Sequence, residues 1–172
     1  MGAASAWMSI RAPNAKIIAI EPDPVIASKL SENFKRFRIQ DRSVVIQAAV
    51  GSKPGWCVLE KESSSSINTS TLSVDADTPE HKIPVIGLNE ILEMIPSRAI
   101  DVLKIDCEGG EFSFFDGARS DHISTIKFII GEYHLTWGDI SQLEKDLNRG
   151  KLKIEIIEQF EINGTFLAKK KN

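Results

Sequence analysis

The chain has 172 residues, a formal charge of −3 and a pI near 5.7, with 42% hydrophobic and 26% charged residues. That is one domain's worth of chain, and its acidic balance argues against a nucleic-acid-binding surface, which normally carries a basic field. No apolar run approaches the roughly 18 residues needed to span a membrane, and no signal-peptide pattern opens the chain, so the expected location is cytoplasmic.

Residues 16–20 (KIIAI) form an apolar, β-branched run suited to a buried parallel strand. It stops at Glu21-Pro22-Asp23-Pro24, where Asp23 can cap a helix whose first position is Pro24. In that helix Ile26, Leu30, Phe34 and Phe37 recur at helical spacing. A second strand is predicted over 43–50. The stretch 51–84 is different: a short strand at 56–60 leads into the serine-rich 63–73 and the polar 75–82, a surface excursion before strand 83–86. Leu88, Ile91, Leu92 and Ile95 mark a short helix that ends before Pro96.

Another strand at 101–106 runs into Cys107-Glu108-Gly109-Gly110-Glu111, and Phe112, Phe115 and Ala118 suggest a helix packed on the sheet. Residues 126–131 (IKFIIG) are the most apolar strand, with Glu132-Tyr133-His134 at its end. A helix over 139–149 turns Ile140, Leu143 and Leu147 inward and stops at Gly150. The tail 152–168 reads as two strands joined by Asn163-Gly164, the strongest short hairpin signal. Strands alternating with helices mean a mostly parallel, three-layer α/β sheet with an antiparallel C-terminal hairpin, in a single domain over 1–172.

Cys57 and Cys107 sit in apolar stretches and read as reduced, buried thiols. The Lys169-Lys170-Lys171 run reads as a solvated tail.

In open α/β sheets, ligands bind outside the carboxyl ends of the strands. That rule selects Glu21, then Gln47 and Ala48, then Asp106 and Glu108, then Glu132 and His134. A carboxylate at the end of a strand, about 20 residues after a glycine, can accept hydrogen bonds from ribose hydroxyls. Gly2 lies at that distance, although Glu21 could equally be an exposed acid before a turn. Asp106, Glu108 and Glu111 cluster around a Gly-Gly turn, with Lys104 nearby to offset their repulsion. Such a cluster suits a cationic ligand, a general base or a divalent metal, or simple helix capping. His134 can accept a proton near neutral pH, but a lone histidine is more often structural. His81 and His122 fall in polar loops and receive no role, and Trp7, Trp56 and Trp137 read as packing or rim residues.

These residues together resemble a family. Residues 19–24 (AIEPDP), with Asn33 and Ala49 following, resemble the "AFEPdP…N…A" pattern of FkbM-type methyltransferases. Residues 103–111 (LKIDCEGGE), followed by Gly117-Ala118, resemble the family's "lKiDvEGaE" and "GA". Residues 85–89 (VIGLN) are similar to its "v.tLD", with Asn89 in place of the aspartate, and Glu132 and His134 match its fifth-strand positions.

The resemblance implies a doubly wound, Rossmann-like methyltransferase fold and S-adenosylmethionine as cofactor, with no metal assigned. It implies Gly2 in the glycine loop, Glu21 on the ribose, Gln47 and Ala48 beside the adenine, and Asp106 near the methionine end. Asp106, Glu108 and His134 become the catalytic candidates, expected to converge with Glu132 on one cleft. The implied reaction is O-methylation of a sugar or small-molecule hydroxyl, with no nucleic-acid or membrane partner and with homo-oligomerisation left open.

The family begins with a strand and a "DxGANxG" loop. Ungapped alignment puts Gly2 on that loop's last glycine and residues 3–11 on the first helix, so an N-terminally truncated fold is expected. Weak or absent S-adenosylmethionine binding follows, with strands 16–21 and 101–106 lacking a shared partner. A non-catalytic binding module is the alternative function. A nicotinamide-dependent enzyme would share Glu21 but leaves residues 104–111 unexplained.

Overall fold

The computed structural model describes residues 2–58, 60–61, 67–68 and 82–170. Its chain groups into two compact units, residues 1–49 and 50–172.

The first unit opens on helix α1 (Ala3–Arg11), whose N-cap Gly2 has φ +80°. Strand β1 (Ile17–Ile20) follows, then helix α2 (Pro24–Arg36) and strand β2 (Ser43–Ile46), which pairs in parallel with β1 from Ile17↔Ser43 to Ile20↔Ile46. Asp23 caps α2: its Oδ1 accepts the Val25 and Ile26 amides at 2.7 and 3.0 Å, and Pro24 occupies the first turn, where no amide hydrogen is needed. Leu30, Phe34 and Ile39 pack against Ile17, Ala19 and Val45, covering one face of the pair. The predicted inward face of α2 needs one correction. Phe37 is the C-cap residue and is exposed, because the helix ends before it; Ala27 is buried instead. The Arg42 guanidinium donates to the carbonyls of Ser9 and Ala15, tying α1 to the start of β2. Strand 43–50 is interrupted at Gln47-Ala48, which separate β2 from β3 (Ala49–Val50).

In the second unit β4 (Gly55–Val58) pairs antiparallel with β7 (Lys82–Ile86), and two-residue strands β5 (Glu60–Lys61) and β6 (Ile67–Asn68) pair with each other. The rest of the serine-rich excursion lies outside the described residues. Helix α3 (Leu88–Met94) buries Leu88, Ile91 and Leu92.

Strand β8 (Ile100–Ile105), helices α4 (Gly110–Asp116) and α5 (Ser120–Ile123), strand β9 (Ile126–His134), helix α6 (Ile140–Arg149) and the hairpin β10 (Leu152–Gln159) and β11 (Asn163–Lys170) complete the unit. The sheet runs β10-β11-β9-β8, with β8 and β9 parallel and the other pairs antiparallel. Leu143 and Leu147 of α6, and Phe114 and Phe115 of α4, are fully or almost fully buried in the core with Ile129, Tyr133 and Phe166. The opposite sheet face carries Val102, Phe128 and Ile130, each nearly half exposed.

Two expectations shift in this sheet. Strand 126–131 extends to His134, because β11 pairs with it from Lys169↔Phe128 to Asn163↔His134. The hairpin turn is at Phe160-Glu161-Ile162, closed by the Phe160 amide on the Asn163 carbonyl at 2.7 Å, so Asn163-Gly164 begins β11 and does not form the turn. Glycine suits position 164 for packing. A Cβ there would lie 2.3 Å from Tyr133 Oη and 2.6 Å from the Glu158 carbonyl oxygen.

Candidate active site

Parallel pairing of Ile105 with Gly131 brings the carboxyl ends of β8 and β9 side by side. Asp106 leaves β8 there, and Glu132 and His134 stand at the end of β9, two residues apart and therefore on one face. One carboxylate oxygen each from Asp106 and Glu132 and one nitrogen of His134 lie within 4.8 Å of one another. That is the size of a cation site, but the Lys104 ammonium, 3.0 Å from Asp106 Oδ2, already supplies positive charge to the cluster.

The turn after Asp106 is conformationally unusual. Glu108 has φ +51° and Gly109 φ +102°, two successive left-handed residues. A non-glycine residue in that region costs of order 1–2 kcal/mol and persists only where the surroundings impose it. Here Trp137 sits against Gly109, leaving no room for a Cβ, which would lie 2.5 Å from the indole. The result aims Glu108 Oε2 at His134 Nε2, 3.4 Å away.

Glu111, in the first turn of α4, is fully buried, and its oxygens meet four donors. Oε1 accepts from the His134 amide at 2.8 Å and lies 2.9 Å from His134 Nδ1. Oε2 accepts from the Gly109 amide at 2.9 Å and the Cys107 thiol at 3.5 Å. Burial, reinforced by the Glu111 charge, pushes the Cys107 thiol well above its ordinary range, so the sulfur is a donor here and a poor nucleophile. In the sequence Glu111 belongs to the acidic cluster without a task of its own. The only signal is its position after two glycines, which let the chain fold α4 back under the strand ends.

Beside Glu108 opens a cleft of about 520 Å³, lined by Phe112, Ser113, Asp116, Trp137 and Gln142 among others. Asp106, Glu132 and His134 gather together but do not line it, so the expected convergence on one cleft holds there for Glu108 alone. Trp137 therefore has a second place besides packing, at the rim of this cleft.

The remaining candidates, Gly2, Glu21, Gln47 and Ala48, belong to the first unit. Glu21 directly follows β1, its amide bonded to the Ile46 carbonyl, and its Oε1 accepts the Asp23 amide at 3.0 Å. Burial pushes its carboxyl above the usual range, opposed by that Asp23 hydrogen bond. Gln47 is exposed, whereas Ala48 is fully buried and presents no surface to a ligand, against its expected place beside the adenine. Gly2 is left-handed, and a Cβ on it would press to 2.6 Å from Leu30 Cδ1.

Asn89, where the family motif carries aspartate, accepts from the Arg119 amide and lies 2.7 Å from His122 Nδ1, while its Nδ2 donates to the Gly117 carbonyl. His122 is thus in α5 and not in a loop, as a structural partner of Asn89; His81 lies outside the described residues.

A family model described as the methyltransferase FkbM domain matches residues 2–162. The chain belongs to the FkbM methyltransferase family. Among solved structures, methyltransferase FkbM from Methylobacillus flagellatus KT is similar over 98% of this chain and 40% of its own, with a TM-score of 0.66 and 18% identity. This FkbM chain shares that protein's mixed α/β fold and spans 40% of its length. A comparison with curated proteins finds no match. Within the family's "lKiDvEGaE" segment, residues 103–111 here, lie Asp106, Glu108 and Glu111, which supply three of the acids around His134. Among the described residues no helix is long and apolar enough to cross a membrane.

Proposed function

We propose that this chain serves S-adenosylmethionine-dependent methyl transfer to a hydroxyl oxygen of a sugar or other small molecule. The observation that carries the reading is His134 Nε2 at the strand ends, 3.4 Å from Glu108, the one residue of the acidic cluster that lines the cleft, within a methyltransferase family match covering residues 2–162. In this reading residues 1–172 act as one methyltransferase domain.

S-adenosylmethionine supplies an electrophilic methyl group on a sulfonium. The reading gives each unit a part: Glu21, a half-buried carboxylate at a strand end, has the chemistry for ribose hydroxyls, and Asp106 that for the cationic methionine end. Exposed Gln47 is assigned to the adenine, and Gly2 to the loop approach. His134 Nε2 takes the proton from the acceptor hydroxyl as its oxygen attacks, and the Glu108 carboxylate stabilises the imidazolium that results. In the cleft, the Trp137 ring offers an apolar face, while Ser113, Asp116 and Gln142 offer hydrogen-bonding groups suited to hydroxyls.

The test is a methyl-transfer assay with a labelled donor and a panel of hydroxylated acceptors, beside calorimetry with S-adenosylhomocysteine. In a version carrying the family's strand and glycine loop, Asp106→Ala is expected to abolish transfer with the fold intact, and His134→Ala to slow it by roughly 10²–10⁴. Calorimetry should find cofactor binding in a version carrying the family's strand and glycine loop ahead of Gly2, weakened by Glu21→Ala. If that version binds no S-adenosylhomocysteine, the cofactor reading is wrong. The alternative, a non-catalytic binding module, is favoured if cofactor binds but both variants match the wild type.

A further inference from the structure

We propose that Glu111 is a positioning residue for His134, fixing the ring so that Nδ1 carries a proton and Nε2 is the nitrogen left on the Glu108 side to exchange one. This rests on the methyl-transfer reading for its purpose, though not for its geometry. A fully buried carboxylate at the start of a helix is costly unless every lone pair is satisfied, and an apolar side chain would fill the space at less cost. Here both oxygens meet donors only: two amides, a thiol and the ring.

The same oxygen that accepts the His134 amide at 2.8 Å lies 2.9 Å from its ring Nδ1. Holding backbone and ring together fixes both where the imidazole stands and how it is turned. A carboxylate cannot donate to an unprotonated Nδ1, so the Nδ1–H form is the one that bonds. Nε2 is then left to face Glu108 Oε2 at 3.4 Å. The charged groups around the ring are Lys104 and Asp106 from the end of β8, Glu108 from the turn, Glu132 from β9 and Glu111 from α4. Of these, Glu111 is the one that bonds Nδ1.

The tautomer can be measured directly. In long-range ¹H–¹⁵N spectra of the ¹⁵N-labelled chain, with His134 assigned through His134→Asn, the neutral ring is expected to show Nδ1 as the protonated nitrogen and Nε2 as the unprotonated one. A neutral ring carrying its proton on Nε2 would overturn the proposal. The spectra need no substrate, so they decide the role of Glu111 even if the methyl-transfer reading fails.

Glu111→Gln supplies the second test. A carboxamide keeps the shape but turns one end from acceptor to donor, facing either Gly109 or His134 with the wrong sign. In the folded variant, mixed tautomers and a kcat reduced at least tenfold at unchanged KM are expected. Losses up to about 10⁴ are known when a histidine's orienting carboxylate becomes an amide. An unchanged Nδ1–H pattern with unchanged kcat would make Glu111 a structural staple and overturn its positioning role. Should the variant fail to fold, the wild-type tautomer decides.

Discussion

At the scale of single residues, a carboxylate at a strand end can be one that the fold would be easier without. Glu21 shows this most simply. Burial raises its carboxyl above the ordinary glutamate range, so the folded chain holds that proton more tightly than the unfolded chain does. The stability gained from its protonation is therefore fully present below the unfolded value and is lost as pH rises through the folded one. At pH 7 the ionised group works against folding. Glu21→Gln should raise the melting temperature at pH 7, with the gain shrinking toward pH 4; thermal melts at the two pH values check it. A gain that stayed constant with pH would remove the electrostatic explanation. Such a trade between stability and a charged site is common where a group is retained for binding. Glu21's place at a strand end is legible from the strand-then-Pro pattern. The bond from the Asp23 amide is not, because it depends on the side chain folding back two residues.

At the scale of elements, glycine decides how closely segments approach. Gly117 packs so tightly that a Cβ would lie 2.0 Å from the Ser52 carbonyl oxygen, and Gly164 admits the Tyr133 hydroxyl. Neither has a left-handed backbone. Gly55, by contrast, faces open space. Gly117→Ala and Gly164→Ala should each cost about 1–3 kcal/mol through overpacking, whereas Gly55→Ala should raise stability by about 0.4–1 kcal/mol through the unfolded chain. Urea denaturation of the three variants separates the effects; equal losses at all three would mean that approach distance is not the cause. Asn163-Gly164 looks like the hairpin turn in the sequence because local turn chemistry is the only visible reason for that glycine. The true reason is Tyr133, far earlier in the chain and across the sheet from it. Helix α2, by contrast, is readable nearly to its end, since Asp23, Pro24 and the Leu30 and Phe34 spacing are all local signals.

At the scale of the whole molecule, the β10-β11-β9-β8 sheet buries one face under α4 and α6 and leaves the other open at Val102, Phe128 and Ile130. Successive residues of β9 thus differ sharply in what they contribute. Ile129→Thr should cost about 2 kcal/mol or more, as a core truncation that also buries a hydroxyl, while Ile130→Thr should stay within about 0.5 kcal/mol. Equal losses would mean that the open face is covered in solution. Motif and period by themselves determined the family, the alternation of strands and helices, the capped start of α2 and the residue types at the strand ends, because those signals span a few residues each. Only the tertiary structure decided that Glu111 lies under His134, that Glu108 is left-handed and that β9 runs on to His134. Each depends on β8, α4, β9 and β11 meeting, and a buried carboxylate's partners are chosen by that meeting and not by its neighbours in the chain.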